Sequence, residues 1–158
     1  MTDPAFEAHD HHACIVDGVA AVERACVARG LQLTQTRKRV LEILLSEHKA
    51  MGAYEILDVL RAEGLGSQPP VAYRALEFLT KHGFAHRIER LNAFIACSHF
   101  GDAHAPVFLI CRRCNSVAES RSDVAKSEIG RIAKGAGFVI ERTVREAEGL
   151  CPKCVEAA

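Results

Sequence analysis

The 158-residue sequence has no tryptophan, two tyrosines, five prolines and no excess of charge of either sign. Each shortage excludes something. Twenty Lys and Arg stand against twenty Asp and Glu, so no overall field draws the chain to DNA, RNA or anionic lipid, and any nucleic-acid contact has to come from a local patch. No stretch approaches the roughly 18 consecutive apolar residues of a membrane helix. Positions 1–12 are acidic and histidine-rich, unlike the basic-then-apolar start of a secretory leader. Together these features point to a cytoplasmic chain with no membrane partner. There is no internal repeat at a period of roughly 20 to 50 residues and no low-complexity tract, which removes solenoids and linkers. Aromatic residues make up only 6%, and a small unit poor in them needs a staple. Cysteine, by contrast, is plentiful. Seven cysteines, an odd number in a chain without a secretory signal, argue against a disulfide framework and toward metal or thiol chemistry.

The order of elements carries the fold class. Apolar residues Ile15, Val19, Val22, Cys26 and Val27 recur at three to four positions, predicting a helix over 13–29 that Gly30 ends. Thr34 is the expected N-cap of a second helix through Ser46, with Val40, Leu41, Leu44 and Leu45 inward. Its first turn carries Arg37, Lys38 and Arg39, which oppose the helix dipole and suggest an outside anion such as phosphate. A third helix is expected over 53–63, packing Ile56, Leu57 and Leu60. A fourth, opening on Pro69 and Pro70, carries Tyr73, Arg74, Leu76, Phe78 and Leu79 to Gly83. Two short strands follow, 85–89 and 93–97. Helices followed by a small hairpin is the order of a winged helix-turn-helix. Beyond it, strands are expected at 107–111, 116–120 and 138–145 with a helix at 123–134. The class is therefore α+β, with residues 1–97 as one unit, including a tail over 1–12, and 98–158 as a second, smaller α/β unit.

Two CxxC pairs, Cys111–Cys114 and Cys151–Cys154, lie 36 residues apart. Each CxxC turn puts two sulfurs on one side of a tight knuckle, and two knuckles complete a tetrahedral zinc shell with bonds near about 2.3 Å. A closed shell of this kind is structural; it would clamp the end of the chain onto the first hairpin of the second unit. The competing reading is a redox pair. A second set of metal-capable residues, His86, Cys97, His99, His104 and Glu119, sits around the expected junction. Its mixed N, S and O donors suit zinc, since histidine and carboxylate alone would fit iron or manganese and a thiolate shifts the preference toward zinc. His9, His11 and His12 with Cys14 read as an N-terminal tail, Cys26 as core, and His48 and His82 as helix-end residues.

The run Pro69-Pro70-Val71-Ala72-Tyr73-Arg74-Ala75-Leu76, then Gly83-Phe84-Ala85-His86 and the paired CxxC motifs, resembles the ferric uptake regulator superfamily over nearly the whole chain. Cys97, the Cys111–Cys114 segment and the ending Gly149-Leu150-Cys151-Pro152-Lys153-Cys154 resemble its zinc uptake regulator branch. The resemblance implies a homodimeric, metal-dependent repressor with an N-terminal winged helix and a C-terminal α/β dimerisation domain. By position it implies a structural zinc at Cys111, Cys114, Cys151 and Cys154 and a regulatory zinc at His86, Cys97, His104 and Glu119, two zinc ions per chain. His99 is the alternative to His104. It further implies that the helix bearing Tyr73 and Arg74 reads DNA, with Tyr54 contributing. Two departures stand out. Val71-Ala72 replaces the usual Thr-Val before Tyr-Arg, removing a hydroxyl contact to DNA. Pro106, Val107 and Phe108 replace the histidine-rich run of iron-sensing relatives.

The expected function is zinc-sensing repression of zinc-uptake genes by a zinc-loaded homodimer on a palindromic operator. An ion bound by His86, Cys97, His104 and Glu119 would fix the angle between the halves, and so the spacing of two recognition helices in major grooves roughly 34 Å apart. The balance of charge leaves little bulk attraction: residues 1–30 hold two basic and five acidic side chains, and residues 31–90 nine and seven. Arg37, Lys38, Arg39 and Arg74 therefore have to concentrate on one face. The alternatives are an iron- or peroxide-responsive regulator, a thiol-redox sensor, or a zinc hydrolase with Glu119 as base. The hydrolase lacks an HExxH motif and needs a vacant coordination position that four donors would close.

Overall fold

The computed structural model describes residues 6, 10–47, 49–98, 105–123 and 125–157. Helix α1, His11–Arg29, is capped by Asp10, whose side chain accepts from the His12 N–H at 2.9 Å. It ends where Gly30 turns left-handed at φ 65° and closes on the Cys26 and Val27 carbonyls. Val19, Val22 and Cys26 form its buried stripe. Val27, expected inward, is 83% exposed: one position past Cys26, it is turned about 100° off that stripe. α2, Gln35–Leu45, starts as the sequence indicates, with Thr34 Oγ1 accepting from the Arg37 N–H at 3.3 Å. α1 crosses it closely at Gly18, where a Cβ would stand 2.9 Å from Leu45 Cδ1. α3, Ala53–Ala62, and α4, Pro69–Lys81, follow, the latter with its prolines in the first turn where no N–H is needed.

Val40, Leu41, Leu44, Ile56, Leu57, Leu60, Leu76, Leu79 and Phe84 are all but sealed from solvent in one core. Truncating one such leucine to alanine removes about 2 to 5 kcal/mol. The antiparallel wing, β1 Ala85–Ile88 and β2 Ala93–Ala96, lies against this core, and the whole is a winged helix-turn-helix.

Strand alternation divides the wing's two faces. Ala85 and Ala96, directly opposite one another, enter the helical core. Ile88 and Ile95, on the other face, join Phe108, Ile110 and Val117 in a second cluster. The last three come from β3, Ala105–Cys111, and β4, Val117–Ser122, which pair antiparallel. β5, Glu146–Gly149, pairs parallel with the far side of β3, giving the order β4-β3-β5. α5, Glu128–Gly135, precedes β5, and α6, Pro152–Glu156, follows it.

Two expectations in this half are corrected. The helix expected from Asp123 begins at Glu128: the Asp123 carboxylate accepts from the Ala125 N–H in a turn, and Ser127 supplies the N-cap. The strand expected over 138–145 is irregular chain, with Phe138 67% and Val139 81% exposed. The ladder instead takes Glu-Ala-Glu-Gly, from Phe108↔Glu146 to Cys111↔Gly149. Among the described residues no helix is long and apolar enough to cross a membrane.

Candidate metal centres and nucleic-acid interface

The end of β3 and the start of α6 build a four-cysteine cluster. After Cys111 the chain turns tightly, with the Asn115 N–H donating to the Cys111 carbonyl and Asn115 at φ 61°. Arg112 N–H donates to the Gly149 carbonyl at 2.9 Å. That bond holds the end of β5 beside the turn and delivers Cys151, the residue preceding α6. Sulfurs of Cys111, Cys114, Cys151 and Cys154 all lie within 4.8 Å of one another, and Cys114 Sγ is 3.7 Å from Cys151 Sγ. A tetrahedron with bonds of about 2.3 Å has edges of about 3.8 Å, so the spacing fits a zinc ion.

The thiols are unequal. A backbone hydrogen bond from Cys114 lowers Cys111 to about 6, and the Ser116 hydroxyl, 3.1 Å from Cys114 Sγ, lowers Cys114. Loss of hydration, then its cysteine neighbours, pushes Cys154 up to about 12. Hydrogen bonds thus favour the thiolate at Cys111 and Cys114 while burial disfavours it at Cys154, and a divalent cation would favour the thiolate at all of its ligands.

A second donor cluster joins the wing to β4. His86 shares the wing face of Ile88, Cys97 follows β2 on the face of Ile95, and Glu119 lies opposite Phe108 on the face of Val117. Packing the two sheets therefore brings N, S and O donors together. His86 Nε2 is 3.1 Å from Glu119 Oε1, and the Cys97 thiol donates to the same oxygen at 3.6 Å. Glu119 Oε2 accepts from the Ser98 N–H at 2.8 Å. The carboxylate is 5% exposed, the one buried charged residue among those described. A buried carboxylate beside a thiol and an imidazole is costly without a compensating positive charge, and the donor set fits zinc. His99 and His104, the remaining candidates, lie outside the described residues. Ser98 and Ser116, which serve the two clusters, were not singled out in the sequence; a lone serine carries no spacing signal.

The residues proposed for DNA divide into two groups. Tyr54 on α3 and Tyr73 on α4 are 64% and 48% exposed, so both tyrosines of the chain face solvent. Arg74 is exposed beside Tyr73, and among the described residues its guanidinium has no hydrogen bond or ion pair, including none with Glu77. The α2 cations are engaged within the chain. Arg37 donates to the Gln32 carbonyl at 2.6 Å and stacks 3.9 Å above the Phe78 ring. Lys38 pairs with Glu23 at 2.7 Å. Arg39 grips both oxygens of Glu63 at 2.7 Å and also reaches Glu42. Three cations against the α2 dipole thus have acids and a ring of the protein itself beside them.

Residues 28–144 match the ferric uptake regulator family, and the chain belongs to it. Within that family it is similar to the zinc uptake regulation protein of Escherichia coli (strain K12), at 36% identity over 139 residues, 87% of this chain and 81% of that protein. A zinc uptake regulator solved in complex with zinc and DNA superposes with a TM-score of 0.85 at 35% identity, over 90% of this chain and 96% of that one. The holo form of XcZur superposes at 0.79 with 44% identity, over 89% and 97% of the two chains. The apo form of that protein, at the same 44% identity over 90% and 99%, reaches 0.52. Identity and coverage being nearly equal, the difference is one of arrangement, and the present chain lies nearer the holo form.

Proposed function

We propose that the protein is a zinc-sensing transcriptional repressor that binds palindromic operator DNA as a zinc-loaded homodimer and shuts off zinc-uptake genes. Residues 1–97 are the DNA-binding unit and 98–158 the dimerising unit. Cys111, Cys114, Cys151 and Cys154 hold a structural zinc. His86, Cys97 and Glu119, with His104 as fourth ligand, hold a regulatory one. The observation that carries the reading is the convergence of His86 and Cys97 from the wing with buried Glu119 from β4.

A divalent ion there would supply the positive charge that lets a thiolate and a carboxylate coexist in a buried place. The residues do the rest. His86 and Cys97 move with the recognition helix through β1 and β2, while Glu119 moves with the second sheet, so holding the three together holds the angle between the units. In a homodimer that angle sets the distance between the two copies of α4, and Arg74 of each must reach base edges in successive major grooves. Ile132, Phe138 and Val139, 65%, 67% and 81% exposed, offer apolar area for a second copy to cover. The Cys97 sulfur favours zinc over iron, and the likeness to the holo form rather than the apo form of XcZur agrees with a metal-selected arrangement.

The test is operator binding by fluorescence anisotropy against buffered free zinc. Affinity should rise about 5- to 150-fold as zinc saturates, the span of ordinary allosteric couplings. Equal affinity with and without zinc at the second cluster, or a response to iron in place of zinc, would contradict the proposal.

A further inference from the structure

The tip of the wing is fastened to the second sheet by contacts that use none of the candidate metal ligands. At the β1–β2 turn the backbone N–H groups of Glu89 and Arg90 both donate to the carboxylate of Glu146, at 2.6 and 3.0 Å. The Arg90 guanidinium grips Glu148 through Nε and Nη2 at 2.5 and 3.0 Å. Arg142 Nη2 reaches Glu89 Oε1 at 2.7 Å. Glu146 and Glu148 are two apart on β5, so strand alternation sends both side chains to one face. A carboxylate that takes two consecutive N–H groups is a charge-assisted, directional contact, and it orients the turn as well as placing it.

This joint and the His86–Cys97–Glu119 cluster connect the same two bodies at separate points. Glu89 lies three residues beyond His86 along a strand that rises about 3.3 Å per residue, which gives a lever of about 10 Å. Ile88 and Ile95 of the wing also pack on Phe108, Ile110 and Val117, but apolar packing is non-directional; the hydrogen-bonded tip adds a directional constraint on the wing's angle. We propose that Glu146 and the Arg90–Glu148 pair form a metal-independent latch that holds the wing in the arrangement the metal cluster needs, and so sets the zinc concentration at which the protein switches. The proposal rests on the zinc-sensing reading above. Its arithmetic is a population shift: the apparent Kd for zinc is the intrinsic Kd divided by the fraction of molecules already competent. Unlatching lowers that fraction without touching a ligand.

The experiment measures zinc affinity of the full-length dimer without DNA, by competition with a chromophoric chelator. The samples are wild type, Glu146→Ala, Glu148→Arg and the exchange Arg90→Glu with Glu148→Arg. Each single variant should bind the more weakly held zinc about threefold less tightly or worse, with stoichiometry at saturation and dimer mass unchanged. The exchange should bring affinity back to within about twofold of wild type, a recovery that loss of packing alone would not give. Single variants with wild-type affinity, or an exchange no better than Glu148→Arg, would overturn the latch while leaving the wild-type response to zinc intact. A wild type whose operator binding ignores zinc would instead overturn the sensing reading, and the latch with it.

Discussion

The two donor clusters of this protein are built in opposite ways. The four cysteines come from two short segments, the turn after β3 and the start of α6, and one backbone bond, Arg112 to Gly149, sets the two CxxC pairs side by side. His86, Cys97 and Glu119 come from two sheets that meet face to face, and no backbone turn places any two of them. A cluster built locally can hold its own unit together but has no other body to report on. A cluster built across a junction stabilises less and senses more, because anything that binds it also sets an angle.

The largest effect expected from this contrast is that of Cys114→Ser. Structural zinc binding is folding free energy, on the order of 10 kcal/mol in small zinc domains. The variant should lose the cooperative melting of the second unit and the dimer, read by calorimetry and mass. A normal melting temperature and dimer mass would remove the four-cysteine site from the fold's foundations. Cys97→Ala should break the other side of the comparison: the dimer persists and one zinc remains per chain, while the roughly 5- to 150-fold response of operator affinity to zinc disappears. Repression retained over the same free-zinc range would take Cys97 out of the sensor.

Changes outside both clusters sharpen the comparison by leaving zinc content alone. Arg74→Ala should cost about 1 to 3 kcal/mol of operator discrimination, since an exposed guanidinium on α4 can donate two bonds to one guanine. Nonspecific binding, zinc content and dimer mass should stay near wild type. Operator affinity within about twofold at matched salt and saturating zinc would show that Arg74 does not read a base. The smallest effect belongs to Glu63→Gln. The hydrogen bond from Arg39 holds the Glu63 carboxyl below its usual value. A carboxylate whose pKa is lower in the folded state adds stability above its unfolded pKa and loses it as pH falls through the folded one. Wild type should therefore lose melting temperature on acidification below about pH 4.3, where unperturbed glutamate titrates, more steeply than the variant. Superimposable acid limbs would show the Arg39–Glu63 pair to be inert.

What could be read in advance follows the same division between local and assembled structure. The Thr34 cap, the prolines opening α4 and the CxxC turns were legible because the signal and the structure lie within a few residues of each other. His86, Cys97 and Glu119 were legible as donors, but their meeting depends on two strand registers and the packing of two sheets. β5 was not legible at all. Its Glu-Ala-Glu-Gly carries no apolar alternation because the side chains of Glu146 and Glu148 serve the wing tip rather than a core. The more strand-like 138–145 stays outside the ladder, with Phe138 and Val139 exposed. The α2 cations show the same limit: Glu23, on α1, and Glu63, at the end of α3, lie far from their partners in sequence.

The most direct test of the central claim, that the junction cluster couples zinc to DNA, is the zinc affinity of the second site measured with and without operator. Linkage requires operator to tighten zinc by the same factor that zinc tightens operator, about 5- to 150-fold. Equal factors from the two titrations are the predicted result. A zinc affinity unchanged by operator would contradict the account.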